Sequence, residues 1–487
     1  MSQKILINAL DPEECRIAIV KEGKLEEFTI ESAAKEITHG NIYKGLITRV
    51  EPALQSVFVD YGAERHGFLQ KQEIHPDYYQ DNPSGNNSIK NLVRKGQELL
   101  VQVVKDPALK KGAMLSTYIS LPGRYVVLMP GSANIGISRK IEDEKERTRL
   151  KDIVSKLKVP EGFGLIVRTA GVDCSKTSLA KDLQSLLRLW KNINKKGVEA
   201  KAPALLYKEQ NLALRSIRDS FTNEVSEILI DHEGTFQEVK DFLNVVSPKH
   251  GRLVKHYRAA KPLFNKHELE NQIASIYENR VPLKSGGSIV IDQTEALVAI
   301  DVNSGKATQK KSIEQTATAT NIEAAEEIAR QLRLRDLGGL IVIDFIDMRD
   351  AKHKLQVERT LKEQVKTDKA RTKVGRISKF GLLEMSRQRI RPSIEYGNYI
   401  PCGHCGGKGL LPSVETLALS ALRKLQLMSL KGNAGQTVHG IVPKEVADYL
   451  LNKKRKEIAD LELRRDLFIR IEADSTMRPA ENHIVLE

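Results

Sequence analysis

SIVIDQTEALVAID (288–301) and LIVID (340–344) decide how this chain is read. The first reads as a β-hairpin that ends at Asp301. The second is a continuous apolar run, the pattern of a strand covered on both faces. Between them, residues 312–336 read as one long helix, with Ile313, Ala317, Ala324, Ile328 and Leu332 on a single stripe. Gly338 and Gly339 supply a stop signal. Strand, helix, strand is a crossover unit, so its two strands should be parallel.

Each strand ends in a carboxylate, Asp301 and Asp344. In open α/β sheets, sites form at the carboxyl ends of strands. A charge after four apolar residues is costly unless it is solvated, paired or bound to metal. Asn303 shares a face with Asp301 if the strand continues. Strict alternation puts Asp347 on the face opposite Asp344, which makes Asp344 the partner of Asp301. Two carboxylates and an amide suit Mg²⁺, which takes few protein oxygens and keeps several waters. The plainer alternative is that both aspartates cap strand or helix ends.

Outward from this unit, residues 1–36 read as short strands (KILINAL, CRIAIV) and a brief helix. Residues 42–69 and 96–105 alternate as short strands with turns between, the signature of a small antiparallel barrel. More strand signals follow Leu128 and end in GLIVRTAG (164–171). Residues 175–233 read as helical, with Leu183, Leu186, Leu187 and Trp190 at helical spacing. Residues 413–487 read as a small α/β unit.

The chain has 487 residues, 77 Lys and Arg against 63 Asp and Glu, and a net charge of +14. That balance favours polyanionic partners, although a soluble basic enzyme would look the same. No apolar run reaches the roughly 18 residues of a membrane span, and the N-terminus lacks a signal-peptide pattern. Four cysteines, Cys15, Cys174, Cys402 and Cys405, argue against a disulfide framework and fit a reducing cytoplasm. Cys402 and Cys405 have metal-knuckle spacing within CGHCGGKG (402–409). No second pair exists here, so a Zn²⁺ shared between two chains, a redox dithiol and two inert thiols all remain open.

If Val57 and Val59 face the barrel core, Phe58 faces out, and Phe68 could lie near it. With Lys105, Lys110 and Lys111 nearby, such rings make a stacking platform for single-stranded bases; core packing is the alternative. Arg168 and Thr169 pair a guanidinium with a hydroxyl at a turn, chemistry that suits a terminal phosphate. A surface arginine is the default.

Together VFVDYGAERHGFL (57–69), GLIVRTAG (164–171), SGGSIVID (285–292), EALVAIDVNSG (295–305), AAEEIARQLRLRDLGGLIVIDFIDM (324–348) and FGLLEMSRQR (380–389) closely resemble the bacterial RNase E/RNase G family, in order and over essentially the whole chain. Without a long disordered tail in this sequence, the resemblance is to the short, ribonuclease G-type members, with a truncated or naturally short ribonuclease E as the alternative. The resemblance implies a metal-dependent endoribonuclease for single-stranded, A/U-rich RNA. It implies Mg²⁺ on Asp301 and Asp344, with Asn303 positioning the scissile phosphate. It implies a 5′-monophosphate sensor at Arg168, Thr169, Gly123 and Val127, and RNA binding by Phe58, Phe68, Lys105 and Lys111. Cys402 and Cys405 would join two protomers through one Zn²⁺, in a homodimer or homotetramer. Ribosomal RNA precursors and mRNA would be the substrates, cut during 5′-end processing and decay.

The architecture implied is multidomain α/β. An RNase H-like domain is split into 1–36 and 213–276, around an OB fold (37–124) and a sensor domain (125–212). A DNase I-like catalytic domain (277–398), a zinc link (399–412) and a small dimerisation domain (413–487) follow. One departure stands out: the family knuckle usually has proline after its first cysteine, and here it is Gly403, which loosens the loop but keeps both sulfurs. Two rivals explain part of the pattern. A non-catalytic OB-fold RNA-binding protein accounts for charge and aromatics but not for two strand-end aspartates. A nuclease acting on DNA differs in substrate alone.

Overall fold

The computed structural model describes residues 3–32, 38–80, 88–107, 112–141, 143–172, 174–222, 224–305, 313–389, 393–394 and 399–487. The chain divides into two compact units, residues 1–394 and 395–487. Among the described residues, the first unit carries four sheets.

One sheet runs in the order Val254–His256, Val225–Ile230, Gln3–Asn8, Glu14–Lys21, Lys24–Ser32. Gln3–Asn8 lies parallel to Val225–Ile230, so its two central strands come from segments far apart in the chain. Both faces are covered: Ile5, Ile7, Ile17 and Ile19 pack on one side, and Leu6, Ala18, Val20 and Phe28 on the other. Lys24–Ser32 is a third strand, and residues 33–36, which follow it in the stretch where a brief helix is expected, lie outside the described residues. One expectation changes here. Among the described residues, the expected helical stretch 175–233 is helical over Lys176–Glu199 and Leu212–Ser220 and again from Glu233, while Ala204–Tyr207 and Val225–Ile230 are strands. In the latter, Ile228 and Ile230 are fully buried. Pairing with Gln3–Asn8 decides that segment, and a short apolar run cannot announce such a pairing.

A barrel forms from Ile42–Glu51, Ser56–Asp60, Gly67–Gln70, Met114–Ser116 and Glu98–Lys105, and the last strand closes back on the first. Gly67–Gln70 and Met114–Ser116 pair in parallel, and the other pairs are antiparallel. Val57, Val59, Leu69, Val101 and Leu115 fill the interior. Ala204–Tyr207 also pairs with Ile42–Glu51. Beside the barrel lies a four-stranded sheet, Ile135–Ile137, Phe163–Val167, Val126–Pro130 and Leu121–Pro122. It packs with the helices Glu144–Ser155 and Lys176–Glu199, the latter through Leu183 and Leu186.

The fourth sheet runs Arg280–Pro282, Ser288–Gln293, Leu297–Asn303, Gly339–Asp344, Leu382–Arg387, Thr372–Ile377. Leu297–Asn303 and Gly339–Asp344 are parallel, joined by the helix Ile313–Leu334. Ala317, Ala324, Ile328 and Leu332 on that helix are buried, but Ile313 at its first turn is 91% exposed. The helix stops at Leu334 rather than at the glycines. Asp336 takes the left-handed conformation (φ 50°), and the Leu337 N–H bonds back to the Leu332 carbonyl at 3.2 Å.

LIVID is not covered on both faces. Ile341 and Ile343 are buried beneath Ile313–Leu334 and Ala351–Val365, while Leu340 is 47% exposed and Val342 half-buried. Both helices lie on one side, so among the described residues of the first unit the other face of this sheet stays open.

In the second unit, Thr437–Pro443 pairs in parallel with Phe468–Asp474 and antiparallel with His483–Leu486. The helices Val414–Ser429 and Lys444–Lys453 pack on this sheet through Ala418, Leu422, Leu425, Val446 and Leu450. Among the described residues, no helix is long and apolar enough to cross a membrane.

Candidate functional site

Strand alternation sets the open face of the fourth sheet. Val298, Ile300 and Val302 point into the core, so Ala299, Asp301 and Asn303 point away from it. On the neighbouring strand, Leu340, Val342 and Asp344 do the same. The parallel register sets Asp301 directly beside Asp344. The Asn303 amide donates to Asp301 Oδ2 at 2.7 Å. A shallow depression of about 270 Å³ lies over the pair, lined also by Val290, Asp292, Val342 and Leu382.

The Asp344 carboxyl is pushed above its usual range, by partial burial first and then by the negative charges of Asp301 and Asp347. Strand geometry ends at Asp344, three residues before Asp347, so alternation does not assign Asp347 a face.

Two side chains of the long helix hold the segment that follows Asp344. Asn321, fully buried, donates to the Ile346 carbonyl at 2.8 Å and accepts from the Ile346 N–H at 3.0 Å. Glu314 accepts from the N–H groups of Arg349 and Asp350, at 3.0 and 3.2 Å, and its Oε1 lies 3.0 Å from His353 Nδ1. Sequence reading missed both residues. An asparagine within the apolar stripe between Ala317 and Ala324 was the available signal.

On the barrel, Phe58 and Phe68 are directly paired across strands, ring centroids 5.8 Å apart. The register extends this row from Arg49 through Phe58, Phe68 and Met114 to Lys105. Both rings are half-buried, Arg49 and Lys105 are exposed, and the Arg49 guanidinium lies 4.6 Å from the Phe58 ring centroid. Sequence spacing named neither Arg49 nor Met114, because only strand pairing brings them in. Lys110 and Lys111 lie outside the described residues.

Arg168 is half-buried. It donates to the Gly123 carbonyl at 2.7 Å and to Asp219 Oδ1 at 2.6 Å. Burial would raise the Asp219 carboxyl, but Arg218 and Arg168 outweigh it and hold the group below its usual range. Thr169 follows Arg168 and is exposed, and Val127 pairs with Ile166 on the adjoining strand. Asp182 accepts from the N–H groups of Tyr125 and Val126, at 2.7 and 3.0 Å, so it shapes the turn that presents Gly123. No local motif marks Asp182 or Asp219.

In the second unit, Cys402 is exposed and Cys405 half-buried. The Gly406 N–H bonds to the Cys402 carbonyl at 2.8 Å, and the Gly409 N–H reaches Cys405 Sγ at 3.2 Å. Hydrogen bonds from the backbone of Cys405 and His404 lower the Cys402 thiol below its ordinary value. A side chain at Gly403 would meet open space, so the departure from proline relieves no clash.

The Asn321 clamp carries a direct expectation. Asn321→Ala leaves both backbone groups of Ile346 unpaired, a loss of about 1–3 kcal/mol, and should speed hydrogen exchange at the Ile346 amide by roughly five- to hundredfold. An unchanged exchange rate would show that the clamp does not hold this segment.

Comparison with known proteins finds matches along most of the chain. Residues 120–390 match the Ribonuclease E/G family, residues 401–486 match the RNase E/G thioredoxin-like domain, and residues 36–117 match the S1 RNA binding domain. The chain is 48% identical over 478 residues to ribonuclease E of Haemophilus influenzae, which covers 98% of this chain and 51% of that protein. With ribonuclease E of Escherichia coli it shares 48% identity, over 95% of this chain and 44% of that protein. With ribonuclease G of the same organism it shares 39%, over 87% of this chain and 88% of that protein. The chain thus spans about half the length of these two ribonuclease E relatives, and it belongs to the ribonuclease E/G family.

Proposed function

We propose that this protein is a metal-dependent endoribonuclease acting on single-stranded, A/U-rich RNA. The observation that carries the reading is the pair Asp301 and Asp344, in register on an open sheet face with Asn303 bonded to Asp301. Two like charges held together on a surface call for a cation between them. Among the described residues, no group of three or more His, Cys, Asp or Glu side chains is arranged to hold a metal. An ion here would have two carboxylates and complete its shell with water and phosphate oxygens, which is the habit of Mg²⁺.

When bound, Mg²⁺ supplies neutralising charge on the phosphate and a lower pKa for water. Asp301 and Asp344 would hold it, and Asn303 fixes the Asp301 carboxylate while positioning the scissile phosphate. Water attacks phosphorus in line with the 3′ oxygen. The P–O3′ bond breaks, the departing oxygen takes a proton, and the products carry 5′-phosphate and 3′-hydroxyl ends. The strand lies along the Arg49–Phe58–Phe68–Met114–Lys105 row, with Lys111 contributing. Its 5′-monophosphate docks at Arg168 and Thr169, with Gly123 and Val127 completing the pocket.

Cys402 and Cys405 offer half a tetrahedral Zn²⁺ site, with N–H groups directed at sulfur as a metal knuckle requires. A second copy supplies the other pair, in a dimer or a pair of dimers. The cellular role that follows is 5′-end processing of ribosomal RNA precursors and mRNA decay in the cytoplasm. A non-catalytic RNA-binding protein would need the barrel row alone and leaves the acidic pair without a purpose.

The deciding experiment is cleavage of a 5′-monophosphorylated, A/U-rich RNA in Mg²⁺ or in EDTA, with matched DNA alongside. Wild type should cut the RNA in Mg²⁺ only, and Asp301→Asn should cut it on the order of a thousandfold more slowly at nearly unchanged affinity. Binding without cleavage would establish the RNA-binding reading instead. Arg168→Gln should cost about 1.5–3 kcal/mol on 5′-monophosphate substrates and little on 5′-hydroxyl ones. Equal loss on both would remove Arg168 from phosphate recognition. Metal analysis should find about half a zinc per chain, and Cys402→Ser should lower the oligomeric state. A full zinc per chain would contradict sharing.

A further inference from the structure

The hairpin between Thr372–Ile377 and Leu382–Arg387 places an aromatic ring where the fold has no use for it. The Ser378 N–H donates to the Leu382 carbonyl at 2.8 Å, and the Gly381 N–H donates to the Ser378 carbonyl at 3.1 Å. Gly381 adopts φ +85°, which closes the turn and leaves Lys379 and Phe380 at its tip. The Phe380 N–H bonds to Ser378 Oγ at 3.2 Å, so the backbone under the ring is fixed. Phe380 is 74% exposed and joins no core cluster of the described residues. The Lys379 ammonium lies 5.0 Å from its ring centroid.

The tip borders the acidic pair. Leu382 is directly opposite Asp344 in the sheet register and lines the same depression. A Cβ on Gly381 would lie 3.4 Å from Asp347 Oδ1. Lys373, opposite Ser386, adds positive charge along the same open edge. Next to two carboxylates, exposed cations on a rigid turn attract the phosphates that the carboxylates themselves repel. A flat exposed ring offers a base a stacking surface without demanding its identity.

We propose that Phe380 and Lys379 form a nucleobase subsite beside the cleavage centre. The base of one nucleotide flanking the scissile phosphate stacks on Phe380, and Lys379 meets an adjoining phosphate. The ligand class is single-stranded RNA, because a paired base cannot offer its face. This subsite rests on the ribonuclease reading above.

The test is kcat/KM for wild type, Phe380→Ala and Phe380→Trp on one short RNA, and on versions carrying a single abasic site at each position around the cleaved bond. Phe380→Ala should lower kcat/KM about tenfold on the intact RNA, and Phe380→Trp should restore it. At one flanking position, abasic RNA should be cut equally by wild type and Phe380→Ala. A tenfold loss at every abasic position, or no loss on intact RNA, overturns the subsite while leaving the ribonuclease reading in place. A change in sedimentation of Phe380→Ala would mark the ring as a contact between copies and also overturn it. Wild type that cuts no RNA in Mg²⁺ overturns the underlying reading, and the subsite with it.

Discussion

Asp301 and Asp344 repel each other, and the sheet keeps them together. Neighbouring strands lie about 4.8 Å apart, which sets a repulsion of roughly 1 kcal/mol in water and about 3 kcal/mol at a surface-like effective dielectric. Against it stand Val298, Ile300, Val302, Ile341 and Ile343, all buried on the other side of the same two strands. Each contributes about 1.5–3 kcal/mol, so burial on one face outweighs the strain on the other several-fold. Register is the means of transmission. A slip of one residue would turn Ile343 outward and Asp344 inward, so the core face itself enforces the acidic pair.

The long helix has a second task beyond covering that core. Asn321 and Glu314 reach past the strand end and capture backbone groups of residues 346–350. An amide is the apt side chain at Asn321, since it can donate to a carbonyl and accept from an N–H of the same residue. Asp344 is therefore fixed from two directions, by its ladder partners before it and by the helix after it. The same logic recurs around Arg168, where Asp182 holds the turn and Asp219 holds the guanidinium.

Local pattern made much of this legible. The crossover unit, the two strand-end aspartates, the outward Phe58 beside Phe68 and the cysteine knuckle all follow from periods of two or 3.6 and from close spacing. Contacts made between distant segments did not show. Val225–Ile230 became a strand because Gln3–Asn8 receives it. Arg49 and Met114 joined the aromatic row because barrel closure aligned them. The charge of Asp347 reaches Asp344, and strand alternation, which ends at Asp344, gives no account of it.

The misreading of LIVID as a strand covered on both faces points to the site itself. Its apolar composition is right for two packed layers, yet only one layer exists among the described residues of the first unit. A second layer would have to desolvate Asp301 and Asp344 together, at a cost of several kcal/mol for each charge. It would also close the depression over the pair. Leu340 and Val342 are left partly in water so that their neighbour Asp344 can stay there too. Where a local packing rule fails without a compensating contact, function is the expected cause, and here the uncovered leucine and the placed carboxylate lie on one strand, four residues apart.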